Sequence, residues 1–274
     1  MWADVLNLLL LFPALGLALP FGQNNTETSI FVCESEPDVD ANIIEMYLSP
    51  TSGLGTRNFV LNKARRWTHG IVPYEIDPSF SEAQVAKIKD KIKLFSDVSC
   101  VKWVPRYTHK DYVKFSHFYH KETCNSLVGR KGGEQVINLG DECFNDNGFQ
   151  GAIPHEMMHA LGFVHEHQRV DRDCFVKVTQ QASLTERADF GIKQNTDYGF
   201  PYDFRSIMHY GAGVNMKALR GDILGNFDGK FTELDKMKLN NMYCGGPTYC
   251  KQYPQPCAVF QWAQKKCSPS FSNP

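Results

Sequence analysis

Three histidines and a glutamate fall close together in the run HEMMHALGFVHEHQRVDRD, residues 155 to 173. On a helix, His155 and His159 lie one turn apart on the same face, so both imidazoles can reach one ion at the ~2.0–2.1 Å that zinc requires. Glu156 sits between them and points beside the metal. There its carboxylate can hold and deprotonate a water rather than fill a coordination position. Gly162 lets the chain leave the helix with φ > 0 and turn back, which brings His165 to the same ion from outside the helix. Three protein ligands leave a fourth position open, and an open position separates a catalytic zinc site from a structural one. One zinc ion per chain is therefore the expected cofactor. An ordinary amphipathic helix with two core histidines would need neither the glycine nor the third histidine at these offsets.

The elements that must position these groups can be read on either side. Pro154 is tolerated only in the first turn of a helix, so the helix starts no earlier than about Gln150, and it ends at Gly162 after roughly three turns. Upstream, IVPYEID (71 to 77) has strand character. Ser81 is an N-cap candidate for a helix over 81 to 99, with Val85, Ile88, Ile92 and Phe95 on one stripe. Val101 to Pro105, Tyr112 to Ser116 and Gln135 to Leu139 read as short strands. A mixed sheet with helices packed on it satisfies this β-α-β-β-β-α order. After Asp173 the chain reads as polar and irregular to about residue 203, and is followed by Ser206-Ile-Met-His-Tyr210.

The whole chain has 274 residues, 42% apolar and 22% charged, enough for one sizeable domain with appendages. A net charge of −1 gives no electrostatic footprint for nucleic acid or for an anionic membrane. Nine cysteines suggest an oxidising compartment. The apolar run at residues 5 to 19 is short and interrupted by Pro and Gly, and Gly16-Leu17-Ala18 offers small residues for cleavage, so residues 1–18 are expected to be a signal peptide. No other stretch is apolar enough to span a membrane, and a secreted, extracellular protein is expected. Asn24 begins the one glycosylation sequon. Residues 19–57 lack sustained periodicity and are too few for a core of their own, which fits a pro-segment. Arg57 closes that segment in a turn-rich stretch open to a trypsin-like activating protease. Arg65-Arg66 is a competing cleavage site.

The pattern H-E-x-x-H-x-x-G-x-x-H is the metzincin signature, and a later Ser-Ile-Met-His-Tyr resembles the Met-turn of that clan. The sequence resembles the astacin family of secreted zinc endopeptidases over roughly Asn58 to Cys244. The resemblance is carried by VPYEID (72 to 77), CVKWVPR (100 to 106), CNSLVGRKGGEQ (124 to 135), LGDEC (139 to 143), the zinc motif with Glu166 directly after the third histidine, PYDFRSIMHY (201 to 210) and LNNMYC. It implies an α+β, two-lobed metzincin fold with a mixed twisted sheet and a zinc-binding active-site helix. It implies His155, His159 and His165 as ligands and Glu156 as general base and then proton donor. Tyr210 would ligate zinc at rest and swing off to stabilise the oxyanion, and Met208 would form an apolar floor. It pairs Cys100 with Cys244 and Cys124 with Cys143. Protein or peptide substrates would lie extended along a sheet edge near Cys124 to Ser126. Finally, it places the mature N-terminus at Asn58, whose new α-amino group would be buried against Glu166.

The expected mature chain holds four further cysteines, Cys174, Cys250, Cys257 and Cys267, with three connectivities open. Residues 245–274 form a short cysteine-containing tail. Cys33 is left over in the pro-segment. The latency motif usual in the family, F-x-G-D, is absent, and candidate zinc ligands there are Cys33, Glu45, Asp38 and Asp40. His117 and His120 lack partners at ligand spacing for a second metal, and His167 and His209 point away from the first. They are expected at the surface or in hydrogen bonds behind the ligands. The competing reading is a catalytically silent metzincin-fold binding protein, whose mark would be a substituted ligand, base or tyrosine; none is substituted.

Overall fold

The computed structural model describes residues 62–118, 124–145, 151–180, 182, 187–193, 199–226 and 228–258. The expected signal peptide and pro-segment, with Asn24, Cys33, Glu45 and Asn58, lie outside the described residues, as do His120 and Cys267.

Strand β1 (Ile71–Ile76) leads into helix α1 (Glu82–Val98) and strand β2 (Lys102–Pro105). Ser81 starts α1 with a reciprocal capping box: its hydroxyl accepts from the Gln84 N–H, and the Gln84 side-chain oxygen accepts from the Ser81 N–H. Because β1 and β2 are parallel neighbours, α1 is the crossover between them, and its stripe buries Ile88 and Phe95 completely. Strands β3 (Tyr112–His117), β4 (Cys124–Ser126) and β5 (Glu134–Leu139) complete a five-stranded sheet in the order β2-β1-β3-β5-β4. Only the β4–β5 pair is antiparallel.

The sheet thus has one strand more than the sequence pattern suggests. Cys-Asn-Ser carries no β-branched or alternating signal. What fixes β4 is tertiary: the Cys124–Cys143 disulfide and an Asn138 to Asn125 side-chain hydrogen bond of 2.9 Å across the pair.

Helix α2 (Ala152–Leu161) packs on β4 and β5 and against α1. Its Met157, Met158 and Leu161 join Phe95, Phe115, Ile137 and Leu139 in the main core. Beyond it, strands β6 (Val176–Val178) and β7 (Met216–Ala218) form an antiparallel pair over a second, smaller apolar cluster. The stretch after Asp173 is therefore not wholly irregular: it contains β6 and a helical turn at Arg187–Phe190. Three-residue strands paired far along the chain leave no local period to read.

Helix α3 (Glu233–Tyr243) begins with a second capping box, between Thr232 and Asp235, and is pinned to α1 by the Cys100–Cys244 disulfide and by Asn240 donating to the Val98 carbonyl. In the tail, Cys250 pairs with Cys257. Cys174 is also disulfide-bonded, to a partner outside the described residues. Among the described residues no helix is long and apolar enough to cross a membrane.

Candidate active site

Every residue of α2 is buried, so the four carbonyls at its C-terminal end cannot turn to water and must find donors within the protein. Each finds one. Gly162 has φ 106° and closes a Schellman turn, its N–H bonding His159 O at 2.8 Å while Phe163 N–H reaches Met158 O at 3.1 Å. The Trp67 indole donates to Ala160 O at 2.9 Å, and the Tyr243 phenol donates to Leu161 O at 2.6 Å. Gly129 N–H adds a second bond to His159 O. A Cβ on Gly129 would stand 2.8 Å from Arg65 O, so only glycine permits this approach. The termini of the domain thus hold the end of α2.

The turn at Gly162 brings the third histidine back onto the first two. His165 Nε2 lies 3.2 Å from His155 Nε2 and 3.1 Å from His159 Nε2. Their far nitrogens fix the tautomers: His155 Nδ1 donates to Ile207 O and His159 Nδ1 to Phe163 O, both at 2.7 Å. With those protons committed, both Nε2 atoms present lone pairs to the same point. Burial lowers the pKa of His155 to about 4 and of His159 to about 3, which keeps both neutral, as metal ligation requires. Acceptors this close repel unless a cation lies between them, and a tetrahedral ion at ~2.0–2.1 Å holds its nitrogen ligands roughly 3.3 Å apart. The donor set fits one zinc ion. Among the described residues this is the only such group of histidine, cysteine and acidic side chains.

Glu156 is 5% exposed and its Oε2 has no hydrogen-bond partner. Burial raises its pKa to about 8. A dication held by the neighbouring imidazoles would pull that value down and leave a carboxylate with a free lone pair.

Met208 is buried, and its carbonyl accepts from the Glu166 N–H at 2.8 Å, which ties the turn at 206–208 to the segment carrying His165. The Tyr210 ring packs on His165 with centroids 4.5 Å apart, and its hydroxyl lies 3.4 Å from Asp189 Oδ1. Burial, followed by the Asp189 charge, raises its pKa. His167 and His209 are not at the surface: both are buried, with His167 Nε2 on the Asp189 carbonyl and His209 Nε2 on the Tyr202 hydroxyl. His117 does have an acidic partner, Asp141, at 3.0 Å. Arg65 and Arg66 are half-buried rather than a loose basic pair. The Arg65 carbonyl accepts from Arg130 N–H, and its guanidinium donates to Val128 O, so this segment is built into the domain.

Behind the third histidine lies an ionic cluster that the sequence did not reveal. Glu166 Oε1 accepts from Arg169 Nη1 at 2.8 Å and from Asp203 N–H at 3.0 Å, and its Oε2 accepts from Lys238 Nζ at 2.7 Å. Burial alone would raise the Glu166 pKa, but Lys238 and Arg169 outweigh it and hold it at about 2. On α3, Asp235 accepts from Ser206 Oγ and Ile207 N–H; burial and then the Asp203 charge raise its pKa to about 6. The missed signal was positional. Asp235 and Lys238 share the stripe of Leu239 and Met242 at helical spacing, so charged residues occupy core positions.

These values set the pH dependence of the metal-free protein. A histidine whose pKa is depressed on folding binds its proton more readily in the unfolded chain, so His155, His159 and His167 (about 3) remove stability as pH falls from 6.5 towards 4. Glu156 acts oppositely, removing stability as pH rises from 4.5 to about 8. Thermal melts of chelator-treated protein should show a maximum at roughly pH 6.5, steeper on the acid side. A flat profile, or a maximum above pH 8, would contradict this.

A tris-histidine centre with two ligands on a short buried helix and the third beyond its glycine turn, backed by a Ser-Ile-Met-His-Tyr turn, defines the metzincin class. Within it, the peptidase family model described as Astacin matches residues 59–244, and the chain belongs to that family. It is 34% identical over 233 residues to zinc metalloproteinase nas-12 of Caenorhabditis elegans, covering 77% of this chain and 59% of that protein. Zinc metalloproteinase nas-7 of the same organism is 32% identical over 200 residues, covering 68% and 50% respectively. The match therefore spans between half and three-fifths of the length of these relatives. Among solved structures it is similar to high choriolytic enzyme 1, a hatching enzyme zinc-protease of medaka, Oryzias latipes, at 29% identity and TM-score 0.55, covering 65% of this chain and 92% of that one.

Proposed function

We propose that this protein is a secreted zinc-dependent endopeptidase that hydrolyses internal peptide bonds of proteins and is made as a zymogen opened by cleavage after Arg57. The observation that carries the reading is the convergence of three imidazole nitrogens beside a buried glutamate oxygen with no other partner. A zinc ion in that donor set supplies a Lewis acid and a water acidified to a pKa of ~7. Glu156 takes the proton at Oε2 and returns it to the leaving nitrogen. Tyr210, released from Asp189, turns its hydroxyl towards the oxygen on which charge develops. Strand β4 is one of the two edge strands of the described sheet, and an extended substrate adds to it as a further strand. The apolar N-terminal run and the disulfides support export to an oxidising compartment.

Chelation should abolish cleavage of a denatured protein and zinc should restore it. N-terminal sequencing of the active form should begin at Asn58. A start at Trp67 would contradict the processing scheme, because it deletes Arg65, whose backbone and side chain bond the 128–130 loop.

A further inference from the structure

Lys238 is the residue of α3 that the proposed chemistry leaves unused. Its side chain is 2% exposed and its ammonium lies 2.7 Å from Glu166 Oε2. Filling space on that face requires no charge, since the same stripe carries Leu239 and Met242; a buried ammonium is costly unless its partner demands it. The partner is the residue that follows His165. Glu166 also bonds Met208 O through its N–H and accepts from Asp203 N–H, so three segments meet on it. One turn earlier on α3, Asp235 accepts from Ile207 N–H, and Ile207 O accepts from His155 Nδ1. One helix thus reaches two of the three histidines by separate routes, and that helix is anchored to α1 by a disulfide.

We propose that Lys238 is a positioning residue for His165: together with Arg169 it supplies the counter-charge of Glu166 from within the fold, so the metal site is assembled in the uncleaved chain and does not wait for an ammonium at Asn58. Cleavage after Arg57 then uncovers the site rather than building it. This rests on reading the three histidines as a zinc site.

The test is zinc release to a coloured chelator from the full-length chain, from a chain starting at Asn58, and from Lys238→Met, Lys238→Arg and the half-buried control Lys236→Met, whose ammonium pairs with the exposed Glu233. The full-length chain should release zinc no more than about threefold faster than the chain starting at Asn58, Lys236→Met should match its unmutated parent, Lys238→Met should be about 10–100-fold faster, and Lys238→Arg should recover most of the difference. Should Lys238→Met fail to fold, Glu166→Gln and the double variant Glu166→Gln/Lys238→Met replace it, because removing both charges leaves no unpaired ion. The double variant should release zinc no faster than Glu166→Gln, since Lys238 acts only through Glu166. The proposal is overturned if folded Lys238→Met keeps the unmutated rate, if the double variant releases zinc faster than Glu166→Gln, or if the uncleaved chain holds zinc about tenfold or more weakly than the chain starting at Asn58. Zinc retained as expected by a protein that cleaves nothing would sink the proposed function and leave this inference standing; no zinc in any form would sink both.

Discussion

Glu156→Gln is expected to leave the protein folded and zinc-loaded while lowering kcat/KM by about 10³-fold or more. The substitution keeps the shape of a side chain that is 5% exposed in a fully buried helix, so no cavity opens. It removes a carboxyl oxygen, Oε2, that accepts no hydrogen bond within the fold, so little stability is at stake. What disappears is the buried, unpartnered carboxylate of the residue that follows His155, and with it both the uptake and the return of a proton. General acid–base groups typically contribute ~10²–10⁴-fold, and one residue serving both halves of the reaction belongs at the upper end. The measurement is kcat/KM on a peptide together with zinc stoichiometry and a thermal melt. Activity within tenfold of the parent, with zinc bound, would remove Glu156 from the mechanism. Loss of zinc would show that the variant disturbed the ligands and would leave the role of Glu156 open to a second, non-isosteric replacement.

The parts of this site that could be read from the sequence are those whose geometry is local. His155 and His159 share a face because they are one turn apart, and Gly162 is required where the backbone must adopt positive φ, which it does at 106°. Pro154 limits where α2 can begin, and the N-cap is Gly151. Ser81 and the α1 stripe are legible for the same reason. Strands β4, β6 and β7 carry no pattern of their own, because each has three residues and takes its register from a distant partner; only the family resemblance pointed to a sheet edge at Cys124 to Ser126. The ionic cluster was not legible either. Nothing about Lys238 distinguishes it from Lys236 by composition, yet one is buried against Glu166 while the other reaches Glu233 at the surface. The family resemblance gives Glu166 an ammonium partner at Asn58, which lies outside the described residues; among the described residues its cations are Arg169 and Lys238.

Arg169→Met should be the most destabilising single change in this cluster, at about 3–5 kcal/mol, or a fall in Tm of roughly 10 °C for a domain of this size. The guanidinium is fully buried, and all five of its N–H donors are engaged. Nε and Nη2 hold Asp171 in a bidentate pair at 2.8 and 2.7 Å, Nη1 holds Glu166 at 2.8 Å, and the remaining two reach the carbonyls of Phe200 and Pro201. Methionine fills much of the volume but leaves two carboxylates, each 2% exposed, without that cation. Lys238 remains on Glu166, so the losses from the two cations are coupled through one carboxylate and will not add. Arg169→Lys should recover little, because an ammonium has three donors and cannot form the planar fork that Asp171 requires. Urea unfolding at several pH values separates charge from packing. In the parent, Glu166 is held at a pKa of about 2 and stays ionised well into acid. Without Arg169 it takes up a proton at higher pH, which relieves the uncompensated charge in the variant, so the deficit should shrink between pH 7 and pH 4. A deficit that stayed constant or grew towards acid would mean that Arg169 is held there for its packing, and that the ionic cluster behind His165 is a consequence of the fold rather than a support for the ligand.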